Sequence, residues 1–188
     1  MEIDEGVQLM KDIPDLDFLL KRSVDLNLFG TKMRSVIGAA NSTGISKNVK
    51  QQFKIGNQIF KHGLIPILEP EITIGIPDKA EAEIILKNEI IKQLDTLPTN
   101  QTIILKLTLP EVENHYLELT EHKNVLSVVA LSGGYKRSDA IGRLSKNKSM
   151  IASFSRALTE GLSVHQSDLE FHNMLEQTIN SIYQASIS

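Results

Sequence analysis

The chain has 188 residues, 41% of them hydrophobic and 23% charged, with a formal net charge of −3. This is enough for one domain with a sizeable core, and the charge balance gives no sign of a nucleic-acid surface. There is no cysteine, which excludes disulfides and thiolate metal sites.

The acidic start, Met1-Glu2-Ile3-Asp4-Glu5, lacks the basic-then-apolar build of a signal peptide. No apolar run is long enough for a bilayer span, so the expectation is a cytoplasmic protein with no membrane partner. The first dozen residues, punctuated by Gly6 and Pro14, read as loop. Residues 15–26 carry Leu16, Leu19, Leu20 and Val24 at helical spacing. Residues 31–38 alternate as a strand, with Lys32, Arg34 and Val36 on one face. Residues 41–46 are turn chemistry, and 47–62 form a helix stopped by Gly63. Residues 64–70 read as a strand, although Pro66 and Pro70 are awkward in one that bonds on both edges. Asp78 and Glu81 form a capping-box pattern for a helix through residue 94, with Ala82, Leu86 and Ile90 as its apolar row.

Residues 103–109, Ile-Ile-Leu-Lys-Leu-Thr-Leu, form an apolar strand with Lys106 in its middle. Such a run reads as a parallel strand buried on both faces. A lysine there is disfavoured unless paired or neutralised, and a desolvated, neutral amine attacks carbonyls to form a Schiff base. The bland alternative is a lysine that snorkels from a strand end to solvent. Pro110 then opens a short helix to about residue 122. Residues 125–131 form the next strand, ending in Ser132-Gly133-Gly134, and 137–144 a polar helix. Residues 150–154 form the fifth strand, and Ser167 with Glu170 caps a last helix to about residue 185, with core face Leu175, Ile179 and Ile182.

This strand–helix alternation predicts α/β architecture in right-handed βαβ units. An open doubly wound sheet and a (β/α)₈ barrel both fit. After Ile37 there is only Gly38, so the glycine-rich phosphate loop that favours the first is missing.

In either architecture chemistry collects at the C-terminal ends of the strands. There the sequence offers Lys32 and Arg34, then Glu69 and Glu71, Lys106, the Ser132–Gly134 turn, and Ser153, Ser155 and Arg156. Lys106 is the candidate nucleophile, and a nearby Lys32 favours its neutral form by like-charge repulsion. Glu69 and Glu71 suit proton transfer; their bland reading is a surface ion pair with Lys79 or a neighbour. Ser132, Gly133 and Gly134 expose successive backbone N–H groups to a phosphate, and Ser153 and Arg156 lie on the neighbouring strand end. Arg34 is placed for a second phosphate. His62, His115, His122, His165 and His172 show no metal-ligand spacing, so no metal is expected.

Five motifs together carry a resemblance: Phe29-Gly30-Thr31-Lys32-Met33-Arg34, Pro66-Ile67-Leu68-Glu69-Pro70-Glu71, Leu105-Lys106-Leu107, Leu131-Ser132-Gly133-Gly134 and Ser153-Phe154-Ser155-Arg156-Ala157-Leu158. In this order they resemble class I fructose-bisphosphate aldolase, most closely its bacterial branch. The resemblance implies a (β/α)₈ TIM barrel that cleaves fructose 1,6-bisphosphate to dihydroxyacetone phosphate and glyceraldehyde 3-phosphate, with no cofactor. It implies Lys106 as the Schiff-base lysine, Lys32 as the second lysine, Glu69 as acid/base and Glu71 as the adjacent carboxylate. It further implies Ser132, Gly133 and Arg156 at one phosphate and Arg34 at the other end of the substrate. Ser155 departs from the glycine that many members carry.

The family begins with further strands that have no counterpart here, among them one with an aspartate near the substrate's C4 hydroxyl and one with a phosphate-binding lysine. A barrel typically needs about 250 residues. The expectation is therefore a single partial domain over 1–188: the last five strand–helix units of an N-terminally truncated barrel, with open sheet edges at the Lys32 and Met150 strands through which the chain can associate. A non-catalytic remnant that binds phosphate or pairs with a missing N-terminal piece is the alternative; another lysine-dependent barrel lyase, such as a deoxyribose-phosphate aldolase, ranks behind both.

Overall fold

The computed structural model describes residues 3–188. Its single seven-stranded sheet runs in chain order: β1 (Ile3–Asp4), β2 (Val7–Gln8), β3 (Gly30–Ile37), β4 (Ile65–Ile72), β5 (Ile103–Thr108), β6 (Val125–Leu131) and β7 (Met150–Ala152). From β3 to β7 every neighbouring pair is parallel. The helices are α1 (Leu16–Asp25), α2 (Ser42–Lys61), α3 (Lys79–Leu94), α4 (Leu117–Thr120), α5 (Arg137–Leu144), α6 (Arg156–Thr159) and α7 (Asp168–Ser186). Five strand–helix units thus form an arc of a (β/α) barrel, and the sheet does not close. Among the described residues no helix is long and apolar enough to cross a membrane.

The two faces of the arc differ. Met33, Ser35 and Ile37 of β3, Leu68 and Ile72 of β4, Leu105 and Leu107 of β5, and Val128 and Ala130 of β6 are buried under the helices. Val49 and Phe53 of α2 and Ala82, Leu86 and Ile90 of α3 complete this core. Each large apolar side chain buried there contributes about 1.5–3 kcal/mol. The opposite face is only partly covered: Ile104 and Lys106 of β5 are half-buried. The sequence led us to expect cover on both faces of β5, and only one has it.

Several local expectations change. Residues 1 and 2 of the expected N-terminal loop lie outside the described residues; beyond them β1 and β2 form a hairpin, and Val7 and Gln8 pair antiparallel with Ile37 and Val36. The hairpin covers the C-terminal end of the β3 edge, which was expected to be bare. Helix α2 begins earlier than expected because the Asn41 side chain accepts the Gly44 N–H at 2.9 Å, a regular N-cap. Asp78 makes no cap; its carboxylate accepts the Ala40 N–H at 2.6 Å and ties the loop after β3 to the start of α3. Pro110 opens no helix, and the helical turn waits until Leu117. Strand β7 ends at Ala152, before Ser153 and Phe154. Helix α7 has its expected capping box, but it buries Thr178 and Ala185 and leaves Ile179 51% exposed.

The prolines of β4 explain the geometry that positions the site. The N–H groups of Ile65 and Thr73 point to β3, donating to Phe29 and Ile37. Along an extended strand these groups alternate, so those of even-numbered residues point to β5, where Pro66 and Pro70 have none to give. The β4–β5 ladder is accordingly confined to Ile67–Ile104 and Leu68–Leu105. Farther along, the Thr108 hydroxyl supplies a rung, accepting the Ile72 N–H at 3.0 Å and donating to the Ile72 carbonyl at 2.9 Å.

Candidate active site

Register places the polar side chains. Arg34 pairs with Glu69 between β3 and β4, and Lys106 lies two residues beyond Ile104, the partner of Ile67. Paired residues of parallel strands point to the same side, so Lys32, Arg34, Glu69, Glu71 and Lys106 share the open face.

Glu69 is nearly fully buried, and its two carboxylate oxygens serve two lysines. Oε2 accepts a short hydrogen bond from Lys32 Nζ, and Oε1 lies 3.3 Å from Lys106 Nζ. The two lysine side chains expected to lie near each other are thus joined through one carboxylate. Glu71 Oε2 accepts the Arg34 Nε–H at 2.5 Å. That bond, with the charges of Glu71 and Glu69, raises the Arg34 pKa further against a smaller opposing effect of burial. Neither glutamate pairs with Lys79, which binds Glu83 and Glu111 instead.

The phosphate half is built by backbone. Gly133 and Gly134 have φ of +62° and +111°, conformations that glycine adopts without strain. The Tyr135 N–H donates to the Ser132 carbonyl at 2.8 Å and closes the turn. A Cβ on Gly133 would lie 2.8 Å from Ile74 Cγ2, so the loop after β4 packs directly on this turn. Arg156 opens α6, is exposed, and has no carboxylate partner among the described residues.

These groups meet at one cavity of about 180 Å³, lined by Arg34, Glu69, Glu71, Lys106, Ser132, Gly133, Ser153, Ser155 and Arg156 together with Leu131. Lys32 reaches it through Glu69, and Gly134 is the next residue of the turn, outside the lining. The arrangement offers an amine, a carboxylate in contact with it, and a guanidinium beside backbone donors. Those are the parts needed for imine chemistry on a phosphorylated carbonyl compound.

Sequence reasoning missed two features around this cavity. One is the Thr108 rung. The other is an ion-pair network behind the phosphate turn, in which Lys79 contacts Glu83 and, at 3.1 Å, Glu111. The four-residue spacing of Lys79 and Glu83 on a helix was its legible signal.

No family model matches the chain. It is 54% identical over 184 residues to a protein of Synechocystis sp. named fructose-bisphosphate aldolase class 1, covering 98% of this chain and 61% of that relative. Proteins of the same name from Porphyromonas gingivalis and Clostridium acetobutylicum are 56% and 50% identical, covering 97% and 100% of this chain and 61% and 63% of theirs. The chain therefore spans a little over three-fifths of the length of the curated relatives it matches. At such identity along nearly its whole length, the chain belongs to the class I fructose-bisphosphate aldolase family.

Proposed function

We propose that the chain carries the imine-forming and phosphate-binding half of a class I fructose-bisphosphate aldolase site, with a phosphorylated ketose as substrate in a cytoplasmic setting. The contact of Glu69 with both Lys106 and Lys32 carries this reading. The neutral Lys106 amine attacks the C2 carbonyl and forms a carbinolamine. Its hydroxyl leaves as water when Glu69 delivers a proton, and the nitrogen lone pair forms the iminium bond. Lys32 can resupply Glu69 with a proton through their hydrogen bond. The iminium accepts the electron pair released when the C3–C4 bond breaks, so dihydroxyacetone phosphate stays on the enzyme as an enamine and glyceraldehyde 3-phosphate leaves. Ser132, Gly133, Gly134, Ser153, Ser155 and Arg156 hold one phosphate, Arg34 meets the far end of the substrate, and Glu71 holds Arg34 in place.

Bond cleavage also needs a base at the C4 hydroxyl, and among the described residues every titratable group lining the cavity already has another role in this reading. The unclosed sheet favours a second reading, in which the chain binds phosphate and acts only when another polypeptide completes the barrel. The open edge at β7 supports association of this kind. Borohydride reduction in the presence of dihydroxyacetone phosphate, read by peptide mass, tests the first reading. A reduced adduct on Lys106 is expected even without turnover, and an adduct only on other lysines would overturn the assignment.

A further inference from the structure

Behind the phosphate turn, one side chain ties it to the loop that follows the strand carrying Lys106. The Tyr135 hydroxyl donates to Glu111 Oε1 at 3.0 Å. Arg143 covers the Tyr135 ring at 4.4 Å from its centroid, reaches Glu111 Oε2 at 3.3 Å, and donates to the Pro110 carbonyl at 3.1 Å. The same oxygen, Glu111 Oε1, lies 3.1 Å from Lys79 Nζ. That ammonium donates to the Leu109 carbonyl at 2.9 Å and pairs with Glu83, both lysine and glutamate being buried. Glu83 in turn accepts the Glu111 N–H at 3.0 Å.

Leu109 and Pro110 directly follow β5, whereas Tyr135 directly follows Gly134. The span from Lys106 Nζ to the backbone donors of the turn must accommodate the reach of a ketose phosphate from its carbonyl carbon to its phosphate oxygens. The ladder between β5 and β6 holds Lys106 against Val129 but ends at Thr108–Leu131, so no rung of it reaches Ser132, Gly133 or Gly134. The tyrosine–glutamate contact spans the remaining gap. Burial and the Glu111 bond push the Tyr135 hydroxyl up to about 12, which keeps it a donor across the working range.

We propose that Tyr135 and Glu111 are positioning residues that set the spacing between Lys106 and the phosphate turn, and so select ketones phosphorylated one carbon from the carbonyl. The proposal rests on the imine and phosphate assignments above. It predicts an effect on the phosphorylated ligand alone: the amine chemistry at Lys106 is untouched, and only the simultaneous seating of imine and phosphate is impaired.

The test compares dihydroxyacetone phosphate with dihydroxyacetone in borohydride trapping on the full chain. Tyr135→Phe and Glu111→Leu should each raise the half-saturating concentration of dihydroxyacetone phosphate by roughly fivefold to tenfold, with trapping of dihydroxyacetone unchanged. The double variant should be no worse than either single one, because both remove the same contact. Glu111→Gln, which keeps an acceptor for the hydroxyl, should recover most of the loss. Equal changes for both ligands, additive effects in the double variant, or no change at all would overturn the proposal. Arg156→Ala serves as the control: if it leaves the preference for the phosphorylated ligand intact, the phosphate assignment itself falls and this inference with it.

Discussion

Glu69 reaches across the seam between β4 and β5 to within 3.3 Å of Lys106 Nζ, while its other oxygen is held by Lys32. A carboxylate so placed can move a proton at the carbinolamine stage without any side chain shifting. Lys106→Ala should abolish the borohydride-trapped adduct, and Lys32→Ala should weaken it. Glu69→Gln keeps the shape but removes the proton shuttle, and should slow imine formation by about a hundredfold or more. Trapping with timed borohydride addition measures this, and a Glu69→Gln rate equal to wild type would remove Glu69 from the chemistry.

Arg156 has no carboxylate partner among the described residues and lines the cavity beside Ser132. Replacing it with Ala should raise the dissociation constant for dihydroxyacetone phosphate about tenfold or more, the loss of a charge-assisted bond of roughly 1.5–3 kcal/mol. A titration in which the phosphorylated ligand and its phosphate-free analogue bind equally well to wild type would contradict the site.

Two glycines should respond in opposite directions. Gly133→Ala forces a side chain into φ +62° and against Ile74 Cγ2 at 2.8 Å, and should cost about 1–2 kcal/mol of stability and weaken phosphate binding. Gly142 lies within α5, and a methyl group added there would meet nothing within 4 Å, so Gly142→Ala should stabilise by about 0.5–1 kcal/mol. Urea unfolding gives both signs, and a destabilised Gly142→Ala would mean that α5 is not a regular helix there.

The Lys79–Glu83 pair is buried on both sides. Lys79→Met leaves Glu83 charged in the interior and should cost about 3–5 kcal/mol, whereas Lys79→Met with Glu83→Leu should recover much of that. Glu111 adds a pH dependence. Burial raises its pKa, but the Lys79 bond and charge, the Tyr135 bond and the Arg143 charge outweigh this and hold it below its ordinary value. A carboxyl depressed in the folded state binds fewer protons there than in the unfolded chain. Its contribution is therefore complete above the unfolded value near 4.5 and is lost as pH falls through the lower folded value. Urea midpoints should drop more steeply with acid in wild type than in Glu111→Gln; parallel curves would show that the network does not act on stability.

The open edge of the arc gives a further expectation. Ile151, Phe154, Leu158, Ile179 and Tyr183 line an apolar groove beside β7, with Ile151 and Ile179 substantially exposed. Edges and apolar patches of this kind template association. Light scattering should show concentration-dependent assembly that Ile151→Lys reduces, and addition of an N-terminal fragment of a relative should restore some aldol cleavage. A compact monomer with full turnover and no added fragment would show that further strands are dispensable.

Much of this was legible because strands announce themselves by period and the site residues sit on strands. Lys106 stood out as a charge in an apolar run, and Glu69 with Glu71 fell on one face by simple alternation. What could not be read depends on contacts between distant segments. Asp78 reads as a cap and Asn41 as part of a turn, and only the packing of the loop after β3 decides that Asn41 caps α2 while Asp78 holds Ala40. Ile179 continues an apolar row, yet it stays 51% exposed because it lines the open groove beside β7 rather than the closed core. The hairpin of β1 and β2 is too short for any periodic signal and exists because β3 offers it an edge.

Thr108 has one more consequence. Because Pro70 has no hydrogen to donate toward β5, the amide of Ile72 finds its acceptor in a hydroxyl rather than a carbonyl. A hydroxyl can rotate away without any backbone motion, so this amide's exchange with deuterated solvent reports side-chain rotation, whereas that of Leu105 reports opening of the sheet itself. Thr108→Val keeps the volume and removes the acceptor. The seam that Glu69 and Lys106 straddle would then exchange early at one site while the strands on either side stay protected, marking where the barrel wall gives first.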